Sequence, residues 1–128
     1  MVPDNKADYR YAEGKWSVKE VLGHMLDAER IFAYRALCIA RGEQQSLPAF
    51  EEDEYVKNGF FSERSLDSLL VEFMYLRKST VHLLSGLNEE ALQRTGTANK
   101  LQVKAISVFW IMAGHVQHHL QVIRERYL

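Results

Sequence analysis

Cysteine occurs once and proline twice in the 128 residues of the chain. A lone Cys38 excludes an internal disulfide and fits a reducing cytosol, so a cytoplasmic location is expected. Neither sign of charge dominates: 16 lysines and arginines face 17 aspartates and glutamates, a formal charge of −1. With no basic block there is nothing to hold a phosphate backbone, and nucleic acid is not an expected partner. Long uncharged apolar runs and a leader-like segment are also missing, which argues against a membrane span and against secretion. No stretch alternates convincingly with period two, so no sheet is expected, and there are no internal repeats.

What remains is 47% hydrophobic and 26% charged residues, the balance of one globular domain with a core of its own. An all-α reading follows from the periodicities. Residues 1–15 form a polar, extended arm that Tyr9 and Tyr11 can anchor, and residues 16–128 form the domain. Ser17 with Glu20 is a capping box, Trp16 and Val21 a hydrophobic staple, and the helix that starts there runs to about Arg41 and stops at Gly42. Residues 43–64 lose the pattern and form a long crossover with one short helical turn near Phe50 to Lys57. A second long helix begins at a Ser65 cap, with Leu66, Leu69, Leu70, Phe73, Met74, Val81 and Leu84 as its buried stripe and Gly86 as its end. Asn88 caps a short helix, Gly96 to Lys100 is read as loop, and a last long helix covers about Val103 to Arg126.

That last helix carries three of the five histidines within five residues, His115, His118 and His119. His115 and His119 are four apart, which stacks them on one face a turn apart, where their ring nitrogens can converge on one ion. His118 points about 60° away from His115. A third ligand has to come from elsewhere, and His24 lies on the apolar stripe of the first helix whereas His82 falls off the stripe of the second. Gly23 and Gly114 each precede one of these histidines inside a helix, at a cost of about 1 kcal/mol relative to alanine. A close approach of the two helices would explain both. Three neutral imidazoles leave open positions, as catalytic rather than structural metal sites do. The competing reading is a set of core histidines satisfied by hydrogen bonds, and spacing alone leaves the two level. Asp27, three after His24, is open to two roles as well: a fourth ligand or supporting acceptor for an imidazole, or a salt-bridge partner of Arg30 or Arg35. Cys38 reads as an inert core residue. The acidic run Glu51 to Glu54 reads as a solvated face, since it lacks the alternating ligands and central glycine of a calcium loop.

The run Tyr11 to Arg30, with Trp16-Ser17-Val18-Lys19-Glu20-Val21-Leu22-Gly23-His24, resembles the first ligand segment of the DinB/YfiT-like family of metalloenzymes. Ala113-Gly114-His115-Val116-Gln117-His118-His119-Leu120, followed by Arg124 to Leu128, is similar to the second. Leu47-Pro48-Ala49-Phe50 and Asp53-Glu54-Tyr55 match the loop pattern, so the resemblance covers Tyr9 to Leu128. It implies an up-down-down-up helical bundle with a divalent metal ion, zinc or nickel first among the candidates, held by His24, His115 and His119. Members usually carry a further N-terminal helix, and this chain is expected to lack it, which would leave an apolar face to be buried in a homodimer. Characterised branches use low-molecular-weight thiols, so the resemblance implies a thiol transferase or hydrolase acting on a small electrophilic substrate. The alternative is a non-catalytic metal-binding or scaffold bundle with a stress-associated interaction role.

Overall fold

Ser17 opens the first helix in the way its capping box requires. Its side chain accepts from the Glu20 N–H at 3.2 Å, and the Glu20 carboxylate accepts from the Ser17 N–H at 3.0 Å. From there α1 runs Val18–Ala40, and Gly42, at a φ of +88° that disfavours a side chain, turns the backbone away. The structure is a computed structural model that describes residues 3–128; Met1 and Val2, part of the expected arm, lie outside the described residues. The rest of the arm makes a short turn at Asp4–Lys6 and then lies against the domain. Its carbonyls at Ala7 and Tyr9 accept from Lys19 and Val18, and its rings at Tyr9 and Tyr11 pack edge-on against Tyr127.

The crossover contains α2, Glu52–Gly59, and a short turn at Phe61–Glu63. It delivers the chain to α3, Leu66–Ser85, where Ser65 caps the Ser68 N–H and Gly86 follows the last turn. The short α4, Glu89–Gln93, is capped by Asn88 through the Ala91 N–H. Arg94 then donates to the Ala40 carbonyl, occupying an acceptor that the end of α1 leaves free.

The loop expected at Gly96 to Lys100 is instead a hairpin, and this is a correction to the sheet-free reading. Strand β1, Thr95–Ala98, pairs antiparallel with β2, Leu101–Lys104. Asn99 and Lys100 make the turn with φ of +50° and +65°, the paired left-handed residues of a two-residue hairpin. Leu47 adds a bridge to Ala98, which ties the crossover to the hairpin. The last helix, α5, therefore begins at Ala105 rather than Val103 and runs to Val122, and a π-helical turn, Ile123–Tyr127, completes it.

Two apolar clusters fix the directions of the long helices. One joins the start of α1 (Val18, Val21, Met25) to the start of α3 (Leu66, Leu69) and to Ile123 and Tyr127 beyond α5. The other joins the end of α1 (Ala36, Ile39, Ala40) to Leu83 and Leu84 of α3 and to the start of α5 (Ala105, Val108, Met112). So α1 and α3 are parallel and α5 antiparallel to both, the down-down-up part of the expected bundle. The long crossover exists because parallel neighbours cannot be joined by a short turn. Helix α1 packs on both others, which scarcely touch one another. Hence part of the expected α3 stripe is not buried: Leu70, Met74 and Val81 face outward, and Thr80 takes a buried place instead. No helix among the described residues is long and apolar enough to cross a membrane.

Candidate metal centre

Helical spacing brings the two halves of the site together at the α1–α5 seam. His24 is 1% exposed on α1, and His115 and His119 reach it from successive turns of α5. The His24 and His115 Nε2 atoms are 3.0 Å apart, as are those of His115 and His119. One ligand atom from each of the three lies within 4.8 Å of the others. Trp16 packs on the His24 ring at 4.8 Å between centroids, and Phe32 meets His115 edge-on at 5.7 Å. Between these walls the three rings stand edge to face with one another.

Burial, reinforced by the neighbouring imidazoles, pushes each of the three histidines down to about 4, so all are neutral near pH 7. A neutral imidazole has one N–H and one lone pair, on different nitrogens. His115 Nε2 sits in both 3.0 Å contacts, yet it offers only one N–H or one lone pair. A chain of hydrogen bonds therefore accounts for one contact and leaves the other without its proton. A cation accounts for both. Nitrogens at about 2.0–2.1 Å from a tetrahedral ion are separated by about 3.3 Å, close to the two separations from His115, so the residues fit a divalent ion. His24 Nδ1 is buried with no hydrogen-bond partner.

The cluster opens on a cavity of 420 Å³ whose lining includes Tyr11, Trp16, Asp53, His118, His119 and Tyr127. His118 is exposed and touches the cluster only through the His119 ring, at 5.3 Å. Asp53, in the first turn of α2, is the residue that the sequence reading missed. It is exposed, as expected of the acidic run, yet its charge reaches His24 and opposes the effect of burial there. Its position depends on how the crossover folds back over α1, and the one signal for it was the match of Asp53-Glu54-Tyr55 to the family loop pattern. Asp27 is not brought into the cluster. Burial raises its carboxyl, and the charges that act on it are Arg30 and Glu72; no hydrogen bond joins it to a histidine. His82 is exposed, and Cys38 is a half-buried free thiol.

The two glycines do not share the expected cause. A Cβ at Gly23 would meet the ring of Phe61 at 2.3 Å, so that glycine makes room for the crossover and not for α5. A Cβ at Gly114 would meet nothing within 4 Å.

A model of the DinB superfamily matches residues 1–123. Among solved structures, YfiT from Bacillus subtilis, described as a probable metal-dependent hydrolase with an unusual four-helix bundle topology, is similar in fold. The TM-score is 0.77 over 97% of this chain and 74% of that one, at 18% sequence identity. No curated protein matches the chain.

Proposed function

This chain belongs to the DinB superfamily, and from that premise we propose that it is a metal-dependent enzyme of hydrolase type. His24, His115 and His119 would hold one divalent ion, zinc or nickel, and turn the site on a small electrophilic substrate. One observation carries the reading: three neutral imidazoles converge beside an open cavity, with no fourth histidine, cysteine or carboxylate among the described residues joining their group. A purely structural tie between α1 and α5 would call for a closed, four-ligand set.

A divalent ion in this place supplies the positive charge that lowers the pKa of water, or of a low-molecular-weight thiol, into the neutral range. The chain's own groups do the rest. Trp16 and Phe32 fix the imidazole planes and keep bulk water from that side of the cluster. Asp53, at the cavity wall, is placed to take up the proton that the nucleophile releases. Water is the favoured nucleophile, because YfiT is described as a probable metal-dependent hydrolase; a thiol is the rival.

Metal analysis of protein purified without a histidine tag tests the site. About one equivalent of ion is expected in the wild type and almost none in His115→Ala, and equal metal in both would end the proposal. A panel of small esters, amides and other electrophiles, run with and without an added low-molecular-weight thiol, separates hydrolysis from thiol transfer.

The active form is proposed to be a homodimer. Leu70, Met74 and Val81 along α3 and Trp110 of α5 are 38, 52, 53 and 72% exposed, and a 250 Å³ apolar groove runs between Leu84 and Phe109, where the end of α3 meets the start of α5. A second copy seated here removes that surface from water. Sedimentation at micromolar concentration should give twice the 14.8 kDa mass of the chain, and Trp110→Glu should give the monomer. A wild-type monomer rejects this part of the proposal.

A further inference from the structure

Two charged side chains are almost wholly buried along α1, and they are treated differently. Glu29 is 1% exposed and is met by Arg77 from α3. Arg35 is 8% exposed, and no carboxylate among the described residues lies within ion-pair distance of it. Its guanidinium has five N–H donors and makes one hydrogen bond, from Nη2 to the Pro48 carbonyl at 2.8 Å. The rings of Phe32 and Phe50 flank it at 5.7 and 5.9 Å. A buried cation with no matching anion is costly to a fold, so the site is incomplete as the chain alone supplies it.

Arg35 lines a cavity of 290 Å³ together with Phe32, Phe50, Glu52, Val108 and Ile111. No histidine among the described residues lines that cavity, but one ring joins it to the cluster. The Phe32 ring, part of the wall, meets His115, and Ile111 stands one turn before His115 on α5. We propose that Arg35 is the anchor for a substrate carboxylate, and that the enzyme acts on small organic acids with an apolar stem. The acid group pairs with the guanidinium fork and the stem lies between Phe32 and Phe50, so that a bond to be attacked at the imidazoles must pass the edge of the Phe32 ring. A phosphate dianion suits the cavity less well, because Glu52 in the wall repels a second negative charge. What happens at the far end of the substrate rests on the metal-dependent reading above; the anion site itself does not need the ion.

The test titrates the full-length chain, as purified, with 3-phenylpropanoate and with its neutral amide, and follows binding by calorimetry. The acid is expected to bind about tenfold more tightly than the amide, as one charge-assisted hydrogen-bonded pair would give. Arg35→Met should remove that preference, and Arg35→Lys, which keeps the charge but loses the fork, should retain part of it. If Arg35→Met does not fold, the partial loss in Arg35→Lys carries the test. Wild-type protein stripped of metal by a chelator should bind the acid as the untreated protein does. Equal binding of acid and amide, an unchanged preference in both Arg35 variants, or loss of acid binding in the metal-stripped wild type, which would put the carboxylate on the ion, each overturns the proposal. Wild-type metal content in His115→Ala would sink the metal reading and leave the Arg35 site standing.

Discussion

Helix α1 meets its two neighbours through seams of opposite character. On the α3 side, Glu29 is held by both Nε and Nη2 of Arg77 at 2.8 and 2.7 Å, and Arg30 and Arg64 converge on Glu72. Glu29 and Glu72 each have a cation from the chain itself, and Asp27 beside them is the one half-buried carboxylate among the described residues there without an ion pair. On the α5 side, three groups of the same kind meet, and nothing in their group is complementary to them. The first seam is electrically closed, and the second is complete only with something from outside. That asymmetry separates a polar cluster that builds the fold from one that the fold is built to present.

The largest effect should come from opening the closed seam. Arg77→Ala leaves the Glu29 carboxylate buried and unmatched, which should cost about 3 kcal/mol, read as a lower midpoint in urea with an unchanged slope. A loss under about 1 kcal/mol would mean that water already reaches Glu29, and the contrast between the seams would disappear. The open seam should respond to addition rather than removal. An ion at a hundredfold excess over its Kd should stabilise the wild type by about 2.7 kcal/mol. His115→Ala should show no such gain, and Arg77→Ala should keep it.

How much of this was legible in the chain follows from what a helix does to spacing. Because 3.6 residues make a turn, the i, i+4 pair His115 and His119 and the place of His24 on an apolar stripe could be read directly, and the structure brings their rings together. Caps at Ser17, Ser65 and Asn88 are local chemistry and were equally plain. The hairpin was not, because four-residue strands are too short for period-two alternation to show. Periodicity also gave the apolar stripe of α3 without saying what covers it, which is why Leu70, Met74 and Val81 were expected inside. Arg35 and Asp53 gain their roles only when the crossover folds back over α1, through Pro48, Phe50 and α2. Long-range juxtaposition of that kind leaves no mark on local spacing.

The two seams should also titrate in different windows. The folded histidines lie at about 4, below their usual 6.5, so between those values the unfolded chain binds protons that the native state refuses. Stability of the metal-free protein should therefore fall as pH drops from about 6.5 to about 4. The fall should be shallower in His115→Ala, and smaller than the gain from the ion, because His115 and His119 are only half-buried. On the other side, hydrogen bonding by Arg30 holds Glu72 below its usual 4.5. Its contribution is present above that value and is lost only as pH falls through its lower folded pKa. Urea midpoints between pH 7 and 5 should thus report the histidine layer against a smaller opposing contribution from Asp27, whose carboxyl burial raises, and an identical slope in His115→Ala would break the assignment.

The smallest effects come from the two glycines, and they have opposite signs. Gly23→Ala places a methyl group against the Phe61 ring at 2.3 Å. The ring is 7% exposed and packed into the core, so it has little room to move, and a loss of about 1 kcal/mol or more is expected. Gly114→Ala meets nothing within 4 Å and lies inside α5. It should stabilise the helix by up to about 1 kcal/mol, as alanine does over glycine at an open helical position. Thermal melts of the two variants, each with and without ion, sharpen the comparison. If Gly114→Ala instead lowers ion affinity while raising the metal-free melting temperature, the glycine keeps α5 adjustable beside His115, and the open seam is tuned for the ion at the expense of the fold.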